Sequence, residues 1–590
     1  MSHLSLPLLL RVPTPTQSNL SFCEPTPRDM KRWIAELPKA NLGEMARQLY
    51  QGLGELNQLL TSSDNRLQLL ELLRSEVYFV CRHLERHFIN QSVVLDERPR
   101  KVANLCQALQ NHLAIGYKQI IARIAPKLTK DRATLLATAL QRAMHALNGP
   151  LLRANQLYCP VQEGLWLELH QIYQIALQTD LHRVPVPEPT ALQSGSFTVE
   201  QTYGIALLAG TARCNQMRQQ NITRLSQVLE SWSVLVRIQP ADKPGTLFAL
   251  SPTVDAPPRY LTLFDNEPHS TLVGLDPSAL VASIQRYIDT PAEQRDQLPL
   301  PVPAGFTTEL LQHLTGAWGD ISERSFQRMP GQGALTVCIG MSAIHYFASG
   351  EQSFSGLLKI PAAVKAAEFM LQSNDSKDPW ASAFESQRGQ GGSDQFLPYE
   401  EIEYRQMDGD TSQEDRENYP TYPLNIVNHS PGGYCLAWPR IVPPQLQTGE
   451  ILGIRDTSQG WSIAVVRWVR QVRNGGTQMG IELVAPFAEP CGLQLVKGAE
   501  RNSQYMRALL LPEIRAIDAP ATVLTPRLPF QEGSQVMINT HGEETPAILG
   551  HKRTGTGSYS QFEYRPREPV KKDEGGSRPD QEFDSLWETL

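Results

Sequence analysis

Near Val234 the spacing of apolar residues changes abruptly, from recurrences of three and four to short runs cut by Pro, Gly and Asp. Helices need the first spacing and sheets the second, so the chain must hold an all-helical half followed by a β-rich half. Upstream of the change, Leu69, Leu70, Leu73, Val77, Val80 and Leu84 put one buried stripe on a long helix. Similar stripes recur around 42–60, 102–124, 130–147 and 162–178. Thr26-Pro27 opens the region as an N-cap followed by proline at the first helical position. Trp166, Leu169, Tyr173 and Ala176 have the spacing of a tetratricopeptide helix, but the pattern occurs once and no period follows. Residues 27–234 therefore read as an irregular helical array behind an extended segment, 1–26.

Downstream, β-like runs at Val234–Ile238, Thr246–Ala249, Tyr260–Phe264 and Thr271–Leu275 precede helical segments at about 277–288 and 306–317. This predicts a small mixed α/β module over 235–319. A second β-rich region begins near Arg324, is interrupted at 349–419 by a stretch poor in apolar runs, and resumes at Tyr422. The interruption reads as a mobile insertion. Strands are expected at about 422–428, 433–438, 451–455, 461–473 and 477–484, with Asn474-Gly475-Gly476 turning a hairpin. That is barrel-like spacing, and it assigns 320–498 to a β-barrel. Further runs at about 506–511, 521–525, 535–539 and 546–550 predict a small β module over 499–566. In the tail, 567–590, Phe583, Leu586, Trp587 and Leu590 fall at helical spacing and could dock on a partner, although a terminus of this kind is more often unstructured. The fold class is thus α+β and multi-domain, as a length of 590 residues requires of chains whose cores stop growing well below that size.

Composition narrows the function. A net charge of −7 gives no global attraction for DNA or anionic lipid, so any phosphate site must be a local cluster of arginines. No apolar run is long enough to span a bilayer, and the apolar start Leu4–Leu10 lacks the basic flank and cleavage site of an export signal, so no membrane insertion is expected. The eight cysteines show no CxxC spacing, which argues against a zinc site or a disulfide framework and for a reducing, cytoplasmic setting.

Two polar motifs stand out: Arg324-Ser-Phe-Gln-Arg328, just before the strand-like Leu335–Ile339, and Asn428-His-Ser-Pro-Gly-Gly433 between two later strands. An R-x-x-x-R also occurs at Arg82 and Arg86, inside a helical pattern where it marks two exposed basic residues on adjacent turns, so context is what separates the pairs. In that context the region 320–490 resembles the PilZ domain, in which an R-x-x-x-R ahead of a small barrel and a [D/N]-x-S-x-x-G turn within it bind cyclic di-GMP. The resemblance implies a bacterial second-messenger effector that controls surface attachment or motility, with the insertion looped out between the motifs. It also implies a ligand set: Arg324 and Arg328 on phosphate and guanine, Asn428 and Ser430 on the base, and Gly433 for turn geometry. The residue types suit such a ligand, because guanidinium forks pair bidentately with phosphate and with the O6/N7 edge of guanine.

Other candidates carry less. His83 and His87 lie a helical turn apart with no third ligand in view, so no metal is expected. Gly340-Met-Ser-Ala-Ile does not complete a nucleophile elbow, and Ser342 reads as a serine following an apolar strand. Arg388–Ser393 lacks the ending of a phosphate loop. Arg467, Arg470 and Arg473 read as solvated strand residues, with Arg470 on the opposite face from the other two. With no base and nucleophile pair and no dinucleotide fingerprint, the chain reads as a receptor needing no cofactor, not an enzyme. The alternative is a helical adaptor that acts through 27–234 and the Phe583–Leu590 tail and keeps the barrel as a ligand-free interaction module.

Overall fold

The structure, a computed structural model, describes residues 10–189, 191, 195–319, 328–359, 419–439, 441–456, 460–473, 475–496, 503–513 and 520–567. Arg324, most of the 349–419 insertion and the Phe583–Leu590 tail lie outside the described residues. The described chain clusters into two compact units, one drawn from Met1–Ala334, Leu424–Gly449 and Val465–Glu482, the other from Leu335–Pro423, Glu450–Ala464 and Leu483–Leu590.

In the first unit the helical array comprises α1 (Pro27–Glu36), α2 (Leu42–Gln58), α3 (Ser63–Leu84), α4 (Glu97–Ile124), α5 (Ala133–Gln156), α6 (Leu165–Gln178), α7 (Val199–Thr211) and α8 (Gln219–Trp232). Several starts are set by local chemistry. The side chains of Thr26, Asn41 and Ser62 accept hydrogen bonds from the third residue on, and Thr198 with Gln201 forms a reciprocal capping box. The stripe anticipated on α3 is buried throughout: Leu69, Leu70, Leu73, Val77, Val80 and Leu84 are all core residues. Directly after β1 (Val186–Pro187), which pairs antiparallel with β2 (Ser196–Phe197), comes Glu188, whose carboxylate is fully buried against the guanidinium groups of Arg74 on α3 and Arg142 on α5.

The mixed module follows. Its four-stranded sheet runs β3 (Arg237–Pro240), β6 (Val273–Asp276), β4 (Phe248–Leu250), β5 (Arg259–Tyr260), and it continues into α9 (Ser278–Asp289) and α10 (Thr308–Gly319). Trp318 of α10 meets Trp232 of α8 edge to face with centroids 6.2 Å apart, both rings fully buried, which ties the module to the array.

The central sheet is built from β7 (Met329–Pro330), β8 (Ala334–Ile339), β9 (Thr421–Ser430), β10 (Gly433–Trp438), β11 (Ile451–Arg455), β12 (Ser462–Gln471) and β13 (Thr477–Ala485). Its order is β10-β13-β12-β11-β8-β9-β7, and a further β9–β10 pairing closes it into a barrel. The division into units runs through its strands. After β8 the chain does not continue as strand. Gly340 starts α11 (Met341–Ala348), which places Ser342 in a helix, and α12 (Phe354–Leu357) shows that the first part of the stretch read as a mobile insertion is ordered.

In the second unit β14 (Glu489–Leu495), β15 (Met506–Leu511), β16 (Thr522–Pro526), β17 (Gln535–Thr540), β18 (Glu543–Gly555) and β19 (Tyr559–Pro566) form a closed antiparallel barrel. Cys491, Leu493, Val523, Val536, Leu549 and Phe562 fill its core. The strand Glu489–Leu495 falls inside the segment the sequence assigned to the preceding domain, yet it pairs with β15 and β17.

Candidate ligand site on the central sheet

Arg328 stands immediately before β7, whose Met329 and Pro330 pair antiparallel with His429 and Asn428 of β9. Carried one residue further, that register sets Arg328 opposite Ser430. The structure therefore brings Arg328, Asn428 and Ser430 together across one strand boundary, although 100 residues separate Arg328 from Asn428 in the chain.

The row extends sideways. Asn428 pairs with Cys435 of β10, and Cys435 pairs with Gly480 of β13. Directly opposed residues of antiparallel strands project to the same side, so Pro330, Asn428, Cys435 and Gly480 share one face. The indole of Trp468 on β12 lies over the glycine end of this row: a Cβ at position 480 would stand 2.0 Å from Trp468 Nε1. Two guanidinium groups converge on that indole, Arg328 with its Cζ 6.0 Å from the ring centroid and Arg470 at 5.1 Å. Arg470 also donates from Nε and Nη2 to Gln478 Oε1, at 3.2 and 2.8 Å. Burial pushes the Cys435 thiol up while both guanidinium charges pull it back, so both arginines act on the same buried point. Arg467, next to Trp468 in the strand and on its opposite face, is already ion-paired with Glu482. Among the described residues neither Arg328 nor Arg470 has a carboxylate within ion-pair distance.

Ser430 pairs with Gly433 across the tight β9–β10 connection, its Oγ 3.5 Å from the Gly433 carbonyl oxygen. The reason for glycine at 433 is the neighbouring strand: a Cβ there would stand 2.0 Å from the Ile481 carbonyl oxygen of β13. Neither Gly432 nor Gly433 adopts the left-handed conformation that a glycine-requiring turn would use, and the space around Gly432 is open.

Two contributors were not anticipated. Trp468 carried no expectation, and Arg470 was placed among solvated strand residues. The signal was present in the hairpin, since the bond from Val472 N–H to Gly476 O sets 470 against 478 and 468 against 480, but only once the register is known. The remaining candidates stay apart from this face. Arg82 and Arg86 are exposed at the end of α3 and just beyond it, and among the described residues no group of His, Cys, Asp and Glu could hold a metal ion. Among the same residues no helix is long and apolar enough to cross a membrane.

Comparison with known proteins matches the chain domain by domain. A family model for the N-terminal domain of the cyclic-di-GMP receptor FimW matches residues 28–243, one for its middle PilZ domain matches 247–490, and one for its C-terminal β-barrel domain matches 491–567. The cyclic-di-GMP receptor FimW of Pseudomonas aeruginosa is 57% identical over 614 aligned residues, covering 100% of both chains. No solved structure matches. The chain belongs to the FimW cyclic-di-GMP receptor family, whose helical, PilZ and C-terminal barrel domains it carries in that order.

Proposed function

We propose that this chain is a cyclic di-GMP receptor that binds without turnover, and that Arg328, Asn428 and Ser430 hold the dinucleotide on the face described above, with Arg324 completing the arginine pair. The observation that carries this reading is the β7–β9 register, which sets a guanidinium with no carboxylate partner among the described residues beside an amide and a hydroxyl. The guanidinium supplies a fork for phosphate or for guanine O6/N7, and Asn428 supplies both a donor and an acceptor for a base edge. Gly433 serves the site indirectly by letting β10 and β13 approach. Arg328→Ala is expected to weaken cyclic di-GMP binding by about 10- to 150-fold in isothermal titration, the loss of one charge-assisted contact. Unchanged affinity in the folded variant would refute the assignment.

An effector also needs a route from ligand to partner, and we assign the partner surface to the helical array. The strand β12 ends on that array: Gln471 donates from Nε2 to the carbonyls of Val93 and Leu157 at 2.7 and 3.1 Å, and its backbone N–H donates to Tyr158 O at 2.8 Å. Arg218, the N-cap residue of the last helix of the array, reaches Thr448 O at 3.0 Å, and Ser92 reaches Val442 O at 2.9 Å. Gln471→Ala should leave affinity within about 3-fold, since the residue carries only hydrogen bonds of roughly 1 kcal/mol each away from the ligand face. It should nevertheless reduce ligand-induced changes in amide exchange around Val93 and Leu157, whose carbonyls lose their side-chain donor, while the backbone bond to Tyr158 remains. Wild-type protein whose exchange there ignores the ligand would rule this route out. The output, by this reading, is control of surface attachment or motility through a protein partner.

A further inference from the structure

Within the helical array the structure sets two of the eight thiols side by side, Cys81 in the last turn of α3 and Cys106 on α4. Cys81 Sγ donates to the Cys106 carbonyl oxygen at 3.7 Å, and the two thiol groups hydrogen-bond to each other. We infer that they form a peroxide-reactive dithiol, in which Cys106 attacks a hydroperoxide, Cys81 resolves the product into a Cys81–Cys106 disulfide, and Arg153 holds the attacking anion. This oxidation site does not depend on the cyclic di-GMP reading.

Arg153 is the first ground. It is 3% exposed, its Nη2 donates to Gln110 Oε1 at 2.8 Å and its Cζ lies 5.9 Å from the centroid of the Phe88 ring. Among the described residues its Nε and Nη1 have no hydrogen-bond partner, and no carboxylate lies within ion-pair distance. A buried cation in that position calls for an anion, and its charge reaches both thiols. Thiol chemistry is the second ground. Cys106 alone of the eight is held below the ordinary thiol value, first by its hydrogen bond with Cys81 and further by the charge of Arg153, both acting against burial. The other seven are pushed up, six chiefly by burial and Cys81 by its bond to Cys106. An anion-stabilised thiol with a second thiol in contact is the arrangement that oxidises selectively. Both sulfurs are buried, but α3 ends three residues after Cys81 and gives way to the turn Glu85–His87, where Arg86 and His87 are exposed. Local opening of that helix end admits a molecule as small as hydrogen peroxide without global unfolding.

The chemistry balances with hydrogen peroxide as the oxidant. The Cys106 thiolate attacks one peroxide oxygen, an S–O bond forms, the O–O bond breaks, and the hydroxide that leaves takes up the proton Cys106 gave away. Cys81 sulfur then attacks the sulfenic sulfur, the S–S bond forms, and the hydroxyl leaves with the Cys81 proton as water. The two thiols lose two electrons and the peroxide gains them, ending as two waters. The test treats the reduced full chain with hydrogen peroxide, blocks remaining thiols with N-ethylmaleimide, and maps tryptic peptides by mass. Ser75–Arg82 should appear joined to Val102–Lys118 and separate again on reduction with dithiothreitol. Cys81→Ser should stop the reaction at a sulfenic acid on Cys106 that dimedone labels, and Cys106→Ser should abolish both products. Arg153→Gln, checked for folding by thermal melting, should slow formation of the disulfide about 10-fold, and Arg153→Lys, which keeps the charge, should recover most of the rate. Oxidation that begins at another cysteine while Cys106 stays reduced, or Arg153→Gln protein that oxidises at the wild-type rate, would overturn the inference.

Discussion

Glu188→Ala is expected to destabilise the helical array by about 3–5 kcal/mol, because it leaves buried arginines without their shared counter-ion. The Glu188 carboxylate is fully buried, Arg74 and Arg142 each retain only 3% side-chain exposure, and both guanidinium groups contact it, Arg142 Nη1 at 2.9 Å. Gln141 adds a longer contact at 3.5 Å. A second carboxylate, Glu71, is partly exposed, lies 3.9 Å from Arg74 Nη1, and is already engaged by Arg142 Nε at 3.0 Å and by the Tyr117 hydroxyl at 2.6 Å. It cannot neutralise two buried cations. Burial alone would raise the Glu188 carboxyl, but the charges of His145, Arg74 and Arg142 overcome it and hold the group at about 2. A folded-state value below the unfolded one means that this group's stabilisation is complete above the ordinary carboxylate range and is lost as pH falls towards about 2. Urea denaturation followed by far-UV circular dichroism should show the loss at neutral pH, and the variant should lack this contribution to the acid limb. Glu188→Gln, which keeps the shape and some hydrogen bonds but not the charge, should fall between. A loss under about 1 kcal/mol for the alanine variant would mean that the network relaxes around water instead of being held by Glu188.

That buried network was invisible in the sequence, and the reason is instructive. Glu188 sits in a Pro-rich stretch, Val184-Pro-Val-Pro-Glu-Pro189, that carries no periodic signal, and its partners come from helices whose apolar stripes say nothing about which arginine turns inward. Long polar side chains follow the space left by packing, not the local pattern. Where local signals did decide, they held: the helical array, the stripe on α3, and strands such as Gly433–Trp438 and Ile451–Arg455 lie where alternation and turn residues place them. Pattern failed at Gly340, where a helix follows an apolar strand with no polar break, and at Glu489–Leu495, where Pro490 and Gly492 blur the alternation. On the central sheet the motif residues could be named from sequence context, but Trp468 and Arg470 reach the face of Asn428 only through the pairing of β12 with β13. Strand register is a long-range property. A slip of one residue would send the indole to the opposite face, so no reading of β12 alone could have found it.

Gly433 and Gly432 offer a sharp separation of a packing role from a turn role. Gly433→Ala is expected to cost about 3 kcal/mol or more, the upper range for forcing a group into occupied space, because its Cβ would fall 2.0 Å from the Ile481 carbonyl oxygen and 3.0 Å from that carbonyl's carbon. Backbone cannot swing aside as a side-chain tip can, so β10 must draw away from β13. The separation would break the row that runs from Asn428 through Cys435 to Gly480 and shift the seat of Trp468, so ligand affinity should fall together with stability. Gly432→Ala meets nothing within 4 Å and requires no left-handed backbone, so it should change stability by no more than about 0.5 kcal/mol. A turn-forming role for this glycine pair would predict comparable losses at both positions. Equilibrium unfolding of the two variants, with cyclic di-GMP titration of each, separates the cases: a silent Gly433→Ala would show that the strands are not in the close contact on which the whole site depends.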